Sequence, residues 1–240
     1  MPKRIKRPDF IHHQKSMIIP AIREVVFGVE DGMVSTLGVL VGIAIGTNSY
    51  FVIILSGFVI IIVESMSMGV GSYLSAKSVK EIAERKLKEE EIELEEYPEQ
   101  ERKELAEIYT KDGWPPNLAD KMASAASKNK VLFIQEMAYR ELHIHPEKLE
   151  KPIRGGIFMF FSYIIGGTIP LLPYFVFPVS LAIVFSIGIT IIGLFFLGCI
   201  TTKFTKRKWW KAGFEMFFVA GTAVLIGYIV GTVANYLLTR

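Results

Sequence analysis

Four side chains in the apolar parts of this chain are of kinds that a lipid bilayer rarely tolerates or that invite a metal. Glu30 and Asp31 fall early in REVVFGVEDGMVSTLGVLVGIAIG, residues 23–46, which from Val25 onward is long and apolar enough to cross a bilayer. Glu64 lies well inside a second apolar run, residues 51–76, and Met68 follows it one helical turn along on the same face. A carboxylate within a spanning helix costs on the order of 2.5–3.5 kcal/mol at its centre, less near the ends, so such groups face protein or water and mark a functional site by default. The plainer alternative places Glu30 and Asp31 in the headgroup zone. A carboxylate one turn from a thioether is a less ordinary pairing, because it offers a transition metal one hard and one soft donor.

These residues need helices that pack closely. Gly28 and Gly32 flank the acidic pair, and Gly38, Gly42 and Gly46 continue at every fourth position. Ser67, Gly71 and Ser75 form a similar row on the second run, and small residues at this spacing admit a neighbouring helix. Over 240 residues, 51% of them hydrophobic, three more apolar runs occupy residues 153–177, 179–202 and 210–238. The expectation is an all-α polytopic membrane protein with five transmembrane helices and a cytoplasmic helical domain inserted between helices 2 and 3. The divisions are an amino-terminal segment at 1–22, helices 1 and 2 within 23–76, the insert at 77–150, and helices 3 to 5 within 151–240. The single cysteine, Cys199, excludes an intrachain disulfide or a thiolate cluster. Residues 1–22 are basic and lack the compact apolar region of a cleaved signal peptide. His12-His13 has no spaced partner ligands and reads as part of a solvated tail. Trp209 and Trp210 suit an interfacial aromatic belt, and Glu215 is expected to pair with a lysine of the loop before it.

The insert changes composition abruptly, with 18 acidic and 13 basic residues, a net of −5. Its first helix is expected to continue from the second span through Glu96. Breaks follow at Tyr97-Pro98, Asp112-Gly113 and Pro115-Pro116, with short helices near 98–111, 117–127 and 129–142. Glu90 and Glu93 share a helix face, as do Glu101 and Glu104, and Met137 precedes Glu141 by one turn. Three helices can thus converge carboxylates and a thioether on one interior. The plainer alternative is a solvated face stabilised by charge pairs. No D-x-D-x-D-G calcium loop and no Glu-x-x-His di-iron motif occurs. His143 and His145 read as capping or exposed, and nothing here points to a catalytic site or an enzyme.

Lysine and arginine set the orientation. The amino-terminal segment and residues 203–211 are rich in them, whereas the links at 47–50 and 171–178 have none. The positive-inside rule places the amino terminus, the insert and the 203–211 loop in the cytoplasm and the carboxyl terminus outside or in a lumen.

The run FGVEDGMVSTLGVLVG, a second span with Ser-Met-Ser-Met-Gly, an acidic helical insert and three further spans together resemble the vacuolar iron transporter family, over nearly the whole chain from Arg23 onward. In that family a first-span aspartate and a second-span methionine line a metal path, which Asp31 and Met68 match. Its metal-binding insert uses two Glu-x-x-Glu pairs and a Met-Met-x-x-Glu stretch, matched by Glu90, Glu93, Glu101, Glu104, Met137 and Glu141. Ala138 stands where the second methionine would be. Members often carry glutamate where this chain has Ser72, and here an acid, Glu64, stands two turns earlier. The resemblance implies a homodimer that exports Fe²⁺ from the cytoplasm in exchange for protons, with Mn²⁺ and Zn²⁺ as further candidate ions and no prosthetic group. Carboxylate oxygens suit Fe²⁺ and Mn²⁺, and a methionine sulfur biases a site away from Mg²⁺ and Ca²⁺. The competing class is a membrane-anchored metal sensor or scaffold whose acidic insert binds a partner without transport. A channel or magnesium transporter is a third. The acidity of the insert disfavours nucleic acid.

Overall fold

The computed structural model describes residues 19–146, 149 and 151–238. The basic tail with His12 and His13 lies outside the described residues. Among the described residues the elements are helical: α1 (Ile19–Thr47), α2 (Tyr50–Glu96), α3 (Pro98–Lys111), α4 (Pro116–Ala126), α5 (Lys130–Arg140), α6 (Pro152–Leu171), α7 (Pro173–Val176), α8 (Val179–Thr205) and α9 (Trp209–Leu238). Five of them, α1, α2, α6, α8 and α9, are long and apolar enough to cross a membrane. Only the first part of α2 is apolar. Its polar continuation, residues 77–96, extends the same helix by about 30 Å at 1.5 Å per residue.

The breaks follow local chemistry. Tyr97 leaves helical geometry and Pro98 opens α3 at a position where its missing N–H costs nothing. Gly113 takes a φ of +100° at the end of α3, and the Asn129 side chain caps α5 by accepting from the Val131 and Leu132 amides. The third apolar run departs from the expected single span over 153–177. It divides at Leu172 into α6 and the short α7, because Pro173 has no N–H to continue the helix.

α1 is the centre of the bundle, packed against α6, α9, α2 and α8. Its glycine row serves two neighbours. Gly28 and Gly32 lie against α6, while Gly38, Gly42 and Gly46 lie against Ala223, Gly227 and Gly231 of α9. On α2 the row that packs is Ile53, Gly57, Ile61, Ser65 and Gly69, with Gly69 against Gly156 and Phe160 of α6. The expected packing row Ser67, Gly71 and Ser75 is exposed in the single chain, and nothing approaches a Gly71 Cβ within 4 Å. Two four-residue rows run side by side on this helix, and α6 takes the one that presents larger apolar residues between the small ones. A methyl group at Gly32 would fall on the Tyr163 carbonyl oxygen and 2.8 Å from the Gly167 nitrogen, both rigid backbone. Gly32→Ala is therefore expected to destabilise the purified protein by about 1–3 kcal/mol. Gly71→Ala should be neutral or stabilising, since it adds helix propensity without a clash. Equal thermal midpoints for the two variants would contradict this packing.

Between the second and third spans, α3, α4 and α5 close on the polar end of α2. Leu105, Tyr109, Ala119, Ala123, Ala126, Phe133 and Met137 form their apolar core, with Leu94 of α2 against it.

Candidate metal centres

α1 and α2 run antiparallel, so positions that rise along one fall along the other. This brings Asp31 and Glu64, both part-buried, within electrostatic reach of each other, with Tyr163 of α6 within reach of both. Ser35 Oγ stands 2.6 Å from the Asp31 carbonyl oxygen and 2.6 Å from the Tyr163 hydroxyl. The carbonyl can only accept, so the single Ser35 proton goes there and the Tyr163 O–H donates to Ser35. Tyr163 is fully buried, and this relay fixes the α1 backbone where Asp31 leaves it. Glu30 is also part-buried but leaves the helix about 100° round from Asp31.

Toward the insert, the next polar rung is one that the sequence did not single out. Glu24 is 5% exposed. It accepts from Arg23 Nη2 at 2.7 Å and from Ser72 Oγ of α2 at 2.9 Å. The available signal was its spacing, since Asp31 is the seventh residue after Glu24 and two turns bring both to one face. Met68 lies between the two rungs. With Glu24, Ser72 and Met159 of α6, it lines a cavity of about 940 Å³ at the insert end of the bundle. Met159 thus adds a second thioether that the sequence alone did not connect to this place.

In the insert, the two Glu-x-x-Glu pairs and Glu141 come together. Glu90 is 2% and Glu101 7% exposed, and the two carboxyls meet. Glu141 feels Glu93, Glu101 and Glu104, and Glu90 feels Glu141 and Glu93. One oxygen of Glu90 and one of Glu141 are buried without a hydrogen-bond partner. Met137, expected beside these acids, is instead fully buried in the apolar core with Leu105, Tyr109 and Phe133, and Ala138 is buried too. Glu93 and Glu104 are exposed. Among the described residues no three His, Cys, Asp or Glu side chains close on one point as they would around a held ion. Like charges resist such closure until a cation compensates them. His143 and His145 are exposed past the end of α5, His145 beside the Tyr139 ring.

Burial, then the charges of Glu141 and Glu101, pushes the Glu90 carboxyl up from an ordinary 4.5 to about 8. Burial first and neighbouring glutamates second also raise Glu101 and Glu141. The folded insert therefore holds protons that the unfolded chain releases, and that stability is lost as the pH rises through the folded value. Without metal, resistance to unfolding is expected to fall steadily between about pH 4.5 and 8. Glu90→Gln should flatten this slope. Trp114 fluorescence in a Trp209→Phe/Trp210→Phe background would follow it, and a wild-type slope of opposite sign would contradict the burial of Glu90.

Contacts at both ends of α5 hold it so that Glu141 faces the other acids. Tyr109 O–H donates to Glu136 at 3.0 Å, and Arg140 donates to the same carboxylate at 2.8 Å while lying over the Tyr109 ring and pairing with Asp112. Lys130 Nζ bridges from the start of α5 to Glu91 and Glu95 of α2, the first at 2.7 Å. Away from these centres, Glu215 pairs at 2.6 Å with Arg207 instead of the lysine expected from sequence. Arginine's planar fork suits a carboxylate better than the ammonium of its lysine neighbours.

A model of the VIT family matches residues 22–232. The chain is 29% identical over 216 residues to vacuolar iron transporter 1 of Arabidopsis thaliana, covering 90% of this chain and 86% of that protein. It is 29% identical to vacuolar iron transporter 1 of Oryza sativa subsp. japonica, over 78% of this chain and 75% of the relative. It is also 29% identical to the vacuolar iron transporter of Toxoplasma gondii, over 88% and 73%.

Proposed function

The chain belongs to the VIT family, and on that footing we propose that it is a membrane transporter that moves Fe²⁺ out of the cytoplasm. The observation that carries the reading is the facing pair Asp31 and Glu64 inside the bundle, with Met68 one turn from Glu64 and Glu24 two turns from Asp31. A sensor or scaffold has no use for carboxylates there, where each costs insertion energy. Oxygen and thioether donors together accept Fe²⁺ and Mn²⁺, and Zn²⁺ as a borderline ion, ahead of Mg²⁺ or Ca²⁺.

The ion's route begins at the glutamates of the insert, which gather cations by charge. It passes the mouth formed by Glu24, Met68 and Ser72, and continues past Asp31 and Glu64. Two carboxylates neutralised by a divalent ion in one state need equivalent charge when the ion leaves. Protons supply that charge from the opposite side, which makes the cycle an exchange. The exposed row Ser67, Gly71 and Ser75 beside Met68 is where a second copy of the chain completes the wall of the path, giving a homodimer. Cells loaded with iron and expressing the protein should hold less cytosolic Fe²⁺ than cells expressing the Asp31→Ala variant. Equal cytosolic iron at equal protein would overturn the reading.

Direction requires the insert to be cytoplasmic. In a Cys199→Ser background, a cysteine at Thr47 should react with an impermeant thiol reagent added outside or on the lumenal side, and one at Lys208 should not. These positions avoid the left-handed backbone of Asn48 and Lys206. The reverse labelling pattern would place the insert on the other face and reverse the direction of transport.

A further inference from the structure

A second cavity, of about 800 Å³, opens at the elbow where α2 leaves the apolar layer and α6 re-enters it. Its polar side holds Lys80, Lys151 and Arg154 with the one carboxylate of Glu84, and its apolar side holds Ile157 and Phe158. Lys80 lies 3.4 Å from Glu84 in an exposed pair. Lys151 and Arg154 have no ion-pair partner among the described residues. The Arg154 guanidinium rests 5.3 Å from the centre of the Phe158 ring, which holds its charge at the cavity while the neighbouring Ile153 and Ile157 are 66% and 51% exposed.

The depth of this cavity is set by its walls. Lys80 stands one turn beyond the apolar part of α2, and Lys151 and Arg154 stand at the start of the spanning helix α6. The cations therefore lie at headgroup level, and Ile157 and Phe158, one turn further along α6, lie toward the hydrocarbon. Among the described lining residues three cations face the one carboxylate of Glu84 over an apolar wall at that depth, and this excess of positive charge complements a ligand with an anionic head and an acyl tail. We propose that this cavity binds an anionic phospholipid of the leaflet on the insert side. Its phosphate lies among Lys80, Lys151 and Arg154, and its chains run along Ile157 and Phe158. The lipid ties the end of α2 to the start of α6, the two points through which the insert joins the bundle. This site is independent of which ion the protein carries.

The test uses the full-length protein in non-ionic detergent, with thermal unfolding and native mass spectrometry as readouts. Phosphatidylglycerol is expected to raise the midpoint and to remain bound, whereas phosphatidylcholine and inorganic phosphate should do neither. Lys151→Gln/Arg154→Gln should need roughly 25-fold more phosphatidylglycerol for the same shift, about fivefold per cation removed. Lys206→Gln/Lys208→Gln, in the other basic loop, should respond as wild type. Should the double variant fail to fold, each single replacement carries the test with an expected fivefold change. An equal response to phosphatidylcholine, an equal response to inorganic phosphate, or a wild-type response from the Lys151 and Arg154 variants would each overturn the proposal.

Discussion

Replacing Asp31 by alanine is expected to lower metal flux through reconstituted protein to the level of protein-free vesicles, while the protein stays folded. Asp31 leaves α1 at a point fixed by the Tyr163–Ser35 relay, faces Glu64 across the α1–α2 contact, and has no apolar role. Removing it leaves Glu64 without its facing acid and takes away one of the few hard donors on the proposed route. Loss of a group that merely orients a metal ligand typically weakens a metal site about 10–100-fold, and loss of a ligand does at least as much. Asp31→Asn separates charge from shape, since it keeps the side chain's volume and removes its charge. It should be as inactive as Asp31→Ala. Met68→Leu should retain more flux, because the thioether contributes selectivity and Glu24 and Met159 remain at the same mouth. Its loss should fall more heavily on Fe²⁺ than on Mn²⁺, the harder ion. Wild-type flux in Asp31→Asn would remove the intramembrane acids from the route.

Changing Glu90, Glu93, Glu101 and Glu104 together to glutamine is expected to have two opposite effects on stability. Without metal the variant should unfold at a higher temperature than wild type, because burial of a charge and then the repulsion of its neighbours, which together raise Glu90 to about 8, are both gone. With metal the order should reverse. Wild type gains about 2.7 kcal/mol when the free ion is a hundredfold above its dissociation constant, and the variant gains little. Thermal scans of the full chain with Fe²⁺ under reducing conditions, or with Mn²⁺, give both numbers. Equal metal-induced shifts in the two proteins would return these acids to an ordinary solvated face.

How far the chain could be read in advance differed by kind of interaction. The helix limits were legible because Tyr97, Pro98, Gly113 and Asn129 act on their own backbone. That Glu90 shares a face with Glu93, and Glu101 with Glu104, was legible from three-residue spacing, whereas the meeting of Glu90 with Glu101 depends on how α3 folds back on α2. Long-range choices were not. Either the Gly69 row or the Gly71 row of α2 could have packed, and only the presence of Gly156 and Phe160 on α6 decides it. Glu24 was not legible, since its partner Ser72 lies 48 residues away. The hold of Tyr109 and Arg140 on Glu136 likewise joins two helices that no local pattern relates.

The measurement closest to the central claim is a dual-dye recording on proteoliposomes, with a metal-quenched dye and a pH-sensitive dye sealed inside. Vesicles whose protein has its insert outward receive Fe²⁺ in the bath and an acidic interior. The account predicts that wild-type protein quenches the metal dye while the lumen turns more alkaline, and that Asp31→Asn does neither. Metal entry with no change in lumenal pH would contradict the exchange. No metal entry in either protein would contradict transport itself.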